Sequence, residues 1–169
     1  MRVVEGVAAV EDLEATLDRL DAVADDHGVT VQAFDARYVA GRTHLERAVE
    51  LADRAFARGE NVARERGIEI LLYAAGRRQI DDALEMGLQE GSLPVAVVVS
   101  AADGDEGREA AAGDAAAERL DLDPAATVAS VDADRVRAFF DVTDAELDAV
   151  DGDLADLVAE RVALLDVEK

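Results

Sequence analysis

Cysteine is absent from this chain, and lysine occurs once, as the final residue Lys169. The first absence excludes disulfides, thiolate nucleophiles and cysteine-ligated metals. The second leaves no lysine before position 169 for a Walker A loop, a Schiff base or a kinase-type phosphate anchor. No uninterrupted apolar run approaches the roughly 18 residues of a membrane span, so no membrane partner is expected. The N-terminal stretch MRVVEGVAAVEDLEATL is broken by acids too early for a signal peptide, which points to the cytoplasm. The glycines of Asp103-Gly104-Asp105-Glu106-Gly107 match neither a dinucleotide fingerprint nor a calcium loop. His27 and His44 have no ligand-spaced partner, so neither a metal nor a cofactor is expected.

What the chain has in excess is acid. Asp and Glu number 39 against 17 basic side chains, a formal net charge of −22, yet half of the residues are hydrophobic. That apolar content separates it from a disordered acidic tail. Such a charge strains a compact fold unless salt screens it, and the screening length falls from about 8 Å at physiological ionic strength to about 3 Å at 1 M. Abundant Asp, Ala and Val with a single Lys therefore point to a molar-salt cytoplasm, that of a halophilic archaeon. On this reading the carboxylates are a hydrated surface rather than acid–base catalysts. The overall acidity then describes the solvent and does not exclude a nucleic-acid partner. The length fits one domain, 1–169.

The pattern predicts an α/β fold, a small mixed β-sheet covered by several helices, with a helix-rich C-terminal part. Arg2 to Val7 reads as a strand, followed by a helix with Leu13, Leu17, Leu20 and Ala24 on one face that ends near Gly28. Val29 to Phe34 alternates as a half-buried strand does. Thr43 and Glu46 form a capping-box pair, opening a helix striped by Leu45, Ala48, Val49, Ala52 and Phe56 and closed by Gly59. Ile68 to Ala75 fits a buried strand or a helix, and Ala74-Ala75 favours the helix. Gln79 to Met86 reads as a helix with Ile80, Ala83 and Leu84 inward. Leu93 to Ser100 is the clearest strand and should be central. Arg108 to Leu120 is an alanine-rich helix, Asp121 to Pro124 a break, and Val128 to Val131 a short strand. Thr143 and Glu146 make a second capping box, and Leu154, Leu157, Val158, Val162 and Leu165 stripe the last helix.

The most apolar segment, Glu69-Ile70-Leu71-Leu72-Tyr73-Ala74-Ala75, ends at Gly76 and is followed at once by Arg77, Arg78, Gln79 and Ile80. Glu69 is an acid inside that segment, and its plainest reading is an arginine pair or a solvent-facing position. No constellation for catalysis stands out, and a non-enzyme is expected. Two stretches, Val31-Gln32-Ala33-Phe34-Asp35-Ala36 running to His44-Leu45, and Ile68 through Gly76 to Met86-Gly87, resemble in order and spacing the small kinase-binding regulatory subunit of the KEOPS (EKC) complex, the family whose human member is TPRKB. The resemblance runs from about Val3 to Val99 and again over Ala159 to Leu165. Residues 101–151 carry nothing that transfers.

The resemblance implies a non-catalytic accessory subunit in tRNA N6-threonylcarbamoyladenosine modification. It implies direct docking on the atypical kinase/ATPase subunit, and association through the complex with the threonylcarbamoyl-transferase and small dimerisation subunits. It also implies capture of the single-stranded 3′ CCA end of tRNA. Arg77 and Arg78 then supply guanidinium donors for phosphate, Gln79 a base-edge contact, and Ile80 or Tyr73 an apolar platform, with His44 as a further candidate. The alternative is that Arg77 and Arg78 pair with Asp81 or Asp82 while Ile80 and Tyr73 are core. The apolar stripe Leu157, Val158, Val162 and Leu165 is either core or kinase-docking surface, and the resemblance assigns part of it to the kinase. A pure protein–protein adaptor, and a small-molecule-binding domain built on clustered buried acids, are the rival readings.

Overall fold

The computed structural model describes residues 1–150 and 152–168, the side chain of Glu168 excepted. Lys169, and Asp151 at the end of the stretch 101–151, lie outside the described residues. In chain order the elements are β1 (Arg2–Val10), α1 (Leu13–His27), β2 (Thr30–Asp35), a 3-10 turn (Ala36–Tyr38), α2 (Arg42–Arg58), α3 (Arg66–Ala75), α4 (Ile80–Ala83) and a second 3-10 turn (Leu84–Met86). These are followed by β3 (Gly91–Ser100), α5 (Glu106–Arg119), β4 (Asp123–Pro124), α6 (Ala133–Phe140), α7 (Asp144–Ala149) and α8 (Leu154–Glu168). They fall into two compact units, one of residues 1–36 and 87–127, the other of 37–86 and 128–169. The α/β class is as the pattern predicted.

The first unit holds the sheet, in the order β2-β3-β1-β4. Where a mixed sheet was expected, every pairing among the described residues is antiparallel. β3 is an inner strand, as its unbroken apolar run required: residues Val95 to Val99 are fully buried, which only a strand covered on both faces sustains. Ala8, Val10, Ala33, Leu93, Val95, Val97 and Val99 pack with Leu20 and Val23 of α1 and Ala112 and Ala116 of α5 in one core. The alanines of α5 let that helix approach closely. α1 starts at Asp12, whose side chain accepts from the Ala15 N–H at 3.0 Å, and ends at Gly28 with φ +62°. Its buried face is Thr16, Leu20 and Val23, while the expected Leu17 is 42% exposed, because the stripe runs one position away from the predicted one.

Residues 121–131 reverse two expectations. Asp123–Pro124 was read as a break but adds β4 to the sheet, opposite Gly6 and Val7. A Cβ on Gly6 would stand 2.4 Å from the Asp123 carbonyl oxygen, so the pairing requires glycine there. Val128 to Val131, expected as a strand, lies in a turn. Thr127 anchors its start by donating its hydroxyl to the Val95 carbonyl at 2.8 Å.

The second unit is helical. α2 begins at Arg42 behind Gly41, whose φ of +139° suits glycine, so Thr43 falls inside the first turn and caps nothing. Glu46 pairs instead with Arg42 at 2.9 Å. The stripe His44, Leu45, Ala48, Val49, Leu51, Ala52 and Ala55 is buried, and Phe56 is half-buried. Ile68 to Ala75 resolves as helix within α3, buried from Glu69 to Ala75, and packs against α2 and α8. Thr143 does cap α7, its hydroxyl accepting from the Glu146 N–H at 3.1 Å. The expected helix Gln79–Met86 shortens to the single turn of α4 and then tightens into a 3-10 turn. That three-residue repeat puts Ala83 and Met86 inside, and leaves Ile80 and Leu84, expected inward, 42% and 45% exposed.

Candidate functional site

The site is built from the end of α3. Gly76 adopts φ +61°, and its N–H and that of Arg77 return to the Leu72 and Tyr73 carbonyls. This left-handed closure is why the apolar helix stops where it does. It also turns Arg77 back over α6. The Arg77 guanidinium donates to the Phe139 carbonyl at 2.6 Å and lies 4.6 Å from the Phe139 ring centroid. Arg161 donates to the Phe140 carbonyl at 3.3 Å. Two guanidiniums thus sit at the C-terminal end of α6, where the helix dipole favours positive charge.

Arg78, Gln79 and Ile80 come next in the chain. All three are exposed, and among the described residues the side chains of Arg78 and Gln79 make no hydrogen bond or ion pair. The alternative pairing of the two arginines with Asp81 or Asp82 is therefore not what the fold does: Arg77 goes to a carbonyl and a ring, and Arg78 stays open.

Tyr73 and His44, the other residues expected near a ligand, are buried. The Tyr73 hydroxyl donates to Asp166 at 2.9 Å, and burial together with that carboxylate raises its pKa well above the usual phenol range. His44 Nδ1 accepts from the Ala40 N–H at 3.0 Å and Nε2 donates to the Ala74 carbonyl at 2.7 Å, so both ring nitrogens are used. Its ring also meets Phe140 edge-on at 5.5 Å. Burial lowers its pKa from 6.5 to about 4, and the Ala74 bond opposes that only in part. In this structure neither side chain presents a surface to a ligand. Both hold α3 in place.

Glu69 is not solvent-facing. Its carboxylate is fully buried and accepts the N–H groups of Val62 and Ala63, the latter at 2.8 Å, closing the loop before α3. A charge in that position needs such donors. In the first unit, Glu109 does the same for the Ala101 N–H at 2.8 Å. These buried acids are loop anchors. Among the described residues no group of three or more His, Asp or Glu is arranged to hold a metal ion.

Leu157, Val158, Val162 and Leu165, the candidate kinase contacts, are all buried at 3% exposure or less. They seat α8, which packs against α2 and α3. The apolar side chains that α8 turns outward are Leu164 and Val167, 47% and 80% exposed.

The sequence reading missed α6. Its Arg135 and Arg137, with Phe139 and Phe140, fall in the stretch from which nothing was transferred. The available signal was Arg-Val-Arg-Ala-Phe-Phe, basic and aromatic in a chain only 4% aromatic.

The buried carboxylates of this α/β protein fasten its own loops, and the Arg78-Gln79-Ile80 edge is exposed. The family model described as Kinase binding protein CGI-121 matches residues 6–166, and the chain belongs to that family. A search of curated proteins finds no match. Among the described residues no helix is long and apolar enough to cross a membrane.

Proposed function

We propose that this chain is the non-catalytic regulatory subunit of a KEOPS (EKC) complex that modifies tRNA to N6-threonylcarbamoyladenosine in a salt-rich archaeal cytoplasm. It acts as one functional domain over 1–169. It binds the atypical kinase/ATPase subunit directly, and meets the threonylcarbamoyl-transferase and small dimerisation subunits through the assembly. Membership of a kinase-binding family over residues 6–166 supports the kinase contact. For that contact the buried Leu157, Val158, Val162 and Leu165 position α8, and Leu164 and Val167 meet the partner.

The same subunit captures the 3′ CCA end of tRNA. The observation that carries this is the exposed edge Arg78-Gln79-Ile80, whose polar side chains have no partner among the described residues. A guanidinium, an amide and a 42% exposed isoleucine supply phosphate, base-edge and stacking contacts in three consecutive positions. Arg77 contributes by fixing that edge to α6. Tyr73 and His44 contribute from beneath, by holding the helix that ends in it.

Affinity for intact tRNA and for tRNA lacking CCA tests the proposal, with wild type and Arg78→Glu, Gln79→Ala and Ile80→Glu. Arg78→Glu should weaken binding most at the lowest salt that keeps the fold. Gln79→Ala and Ile80→Glu should weaken it at every salt concentration, stacking being worth about 1–3 kcal/mol per base. Equal affinity of wild type for intact and CCA-less tRNA would overturn tail capture. A pure kinase adaptor would then take its place, a reading favoured by the family description, which names a kinase alone.

A further inference from the structure

The loop joining α2 to α3, residues 59–65, is tied down from within, yet it holds an apolar side chain out to solvent. The Glu60 N–H returns to the Ala55 carbonyl at 2.9 Å, and the Asn61 side-chain amide donates to the Ala63 carbonyl at 2.8 Å. Glu69 holds the N–H groups of Val62 and Ala63. Val62 nevertheless stays 50% exposed. A loop fixed in this way loses little further freedom on docking, and ordering is a main cost of forming an interface.

On either side of Val62 stand Arg58 and Arg64, both exposed and both without a hydrogen bond or ion pair among the described residues. The arginines around them are committed: Arg47 pairs with Glu50, Arg54 with Asp166, and Arg66 with Asp53. Acceptors are not lacking, since Glu60 and Glu65 are exposed in the same loop. In a chain of net charge −22, two uncommitted guanidiniums flanking one loop are a local reversal of sign.

The loop lies at the same end of the helical unit as the last turn of α8. Arg54, one turn before the end of α2, stands 3.8 Å from Asp166. The Tyr73 hydroxyl donates to that same carboxylate, and Glu60 is near enough to add to the negative field on the phenol. Val167, 80% exposed, follows Asp166 directly.

We infer that loop 59–65 joins the last turn of α8 in one protein-docking face, with Val62 as an apolar contact and Arg58 and Arg64 as charge contacts for carboxylates of the kinase subunit. This rests on the kinase reading above and extends it from α8 to the α2–α3 loop. A kinase subunit of the same salt-rich cytoplasm is itself acidic, and two acidic proteins repel unless the facing patch carries the opposite sign. A polynucleotide is the poorer fit: Glu60 and Glu65 interrupt the positive charge, and a valine is no stacking platform for a base.

The test measures affinity of the full chain for the kinase subunit of the same complex across a KCl series, confined to salt at which each protein is folded by circular dichroism. Variants are Val62→Asp, the double substitution Arg58→Ala with Arg64→Ala, and Arg119→Ala. Arg119 is the control, an exposed arginine of the first unit with no partner among the described residues. Val62→Asp should weaken binding about tenfold at every salt concentration, a charge having replaced an apolar contact. The double variant should weaken it about tenfold at the lowest salt and less at molar KCl, where charge is screened. Arg119→Ala should bind as wild type does. If Val62→Asp lowers the melting temperature, the double variant decides, because neither arginine bonds to the rest of the described fold. Wild-type affinity in the double variant overturns the inference, and loss of capture by Leu164→Asp and Val167→Asp in the same assay then leaves the α8 contact standing without the loop. Equal weakening by Arg119→Ala traces the effect to overall charge and overturns the inference too. So does weakened tRNA binding by the double variant with kinase affinity intact, which assigns the arginines to the nucleic acid. Wild type that binds no kinase overturns the kinase reading itself, and the inference with it.

Discussion

His44 makes the fold sensitive to acid in a way that can be calculated. Its Nδ1 accepts a hydrogen bond from Ala40 and its ring is buried, so a proton there removes an acceptor and leaves a charge in an apolar site. The folded pKa is about 4 against 6.5 in the unfolded chain. Above pH 6.5 the ring is neutral in both states and contributes no pH dependence. Between 6.5 and 4 the unfolded state binds the proton and the folded state does not, so stability falls as pH falls. Below 4 both states are protonated and the loss levels off. A shift of this size corresponds to about 3 kcal/mol, at about 1.36 kcal/mol per pKa unit. The measurement is a difference against a variant that lacks the imidazole. Urea unfolding at fixed molar KCl, followed by circular dichroism, should be run from pH 7.5 to 4 on wild type and His44→Gln. Glutamine keeps a donor and an acceptor but does not titrate. Wild type should lose about 3 kcal/mol more than the variant over that range. Parallel pH profiles would refute the reasoning, as would an imidazole NMR signal from His44 titrating near 6.5 in the folded protein.

Three further outcomes follow from the geometry. With a net charge of −22, the melting temperature should fall as KCl is lowered from molar to tens of millimolar, and an unchanged midpoint would remove the halophile reading. Gly6→Ala should expel β4 from the sheet and destabilise the chain by roughly 1–3 kcal/mol; amide exchange at Val7 as slow as in wild type would contradict this. Leu164→Asp and Val167→Asp should abolish capture of the kinase subunit with the melt unchanged, whereas Val162→Asp should unfold the protein, and retained capture by both surface variants would place the docking face elsewhere.

The sequence by itself determined the elements whose signal is local. The Val-Ala-Val-Val-Val run could only be an inner strand, because no amphipathic setting tolerates it. Gly28, Gly59 and Gly76 ended their helices through a left-handed conformation that only glycine adopts cheaply. The absence of cysteine and of internal lysine bounded the chemistry before any coordinate was known. The order and spacing around Gly76 carried the resemblance to a kinase-binding family, and the family match agrees.

Tertiary structure decided what each polar group does, since that depends on partners distant in the chain. Glu69 became a loop anchor because Val62 and Ala63 turn their N–H groups toward it. His44 became a latch through Ala74, 30 positions away. Arg77 and Arg78 are adjacent and chemically identical, yet one is held over Phe139, 62 positions on, and the other is left to solvent. The stripe on α8 was compatible with core or with docking surface, as any helical stripe is, and packing against α2 and α3 made it core. The two residues of β4 carry no strand signal; a two-residue pairing is set by the bare backbone of Gly6 opposite, which no periodicity in the sequence records.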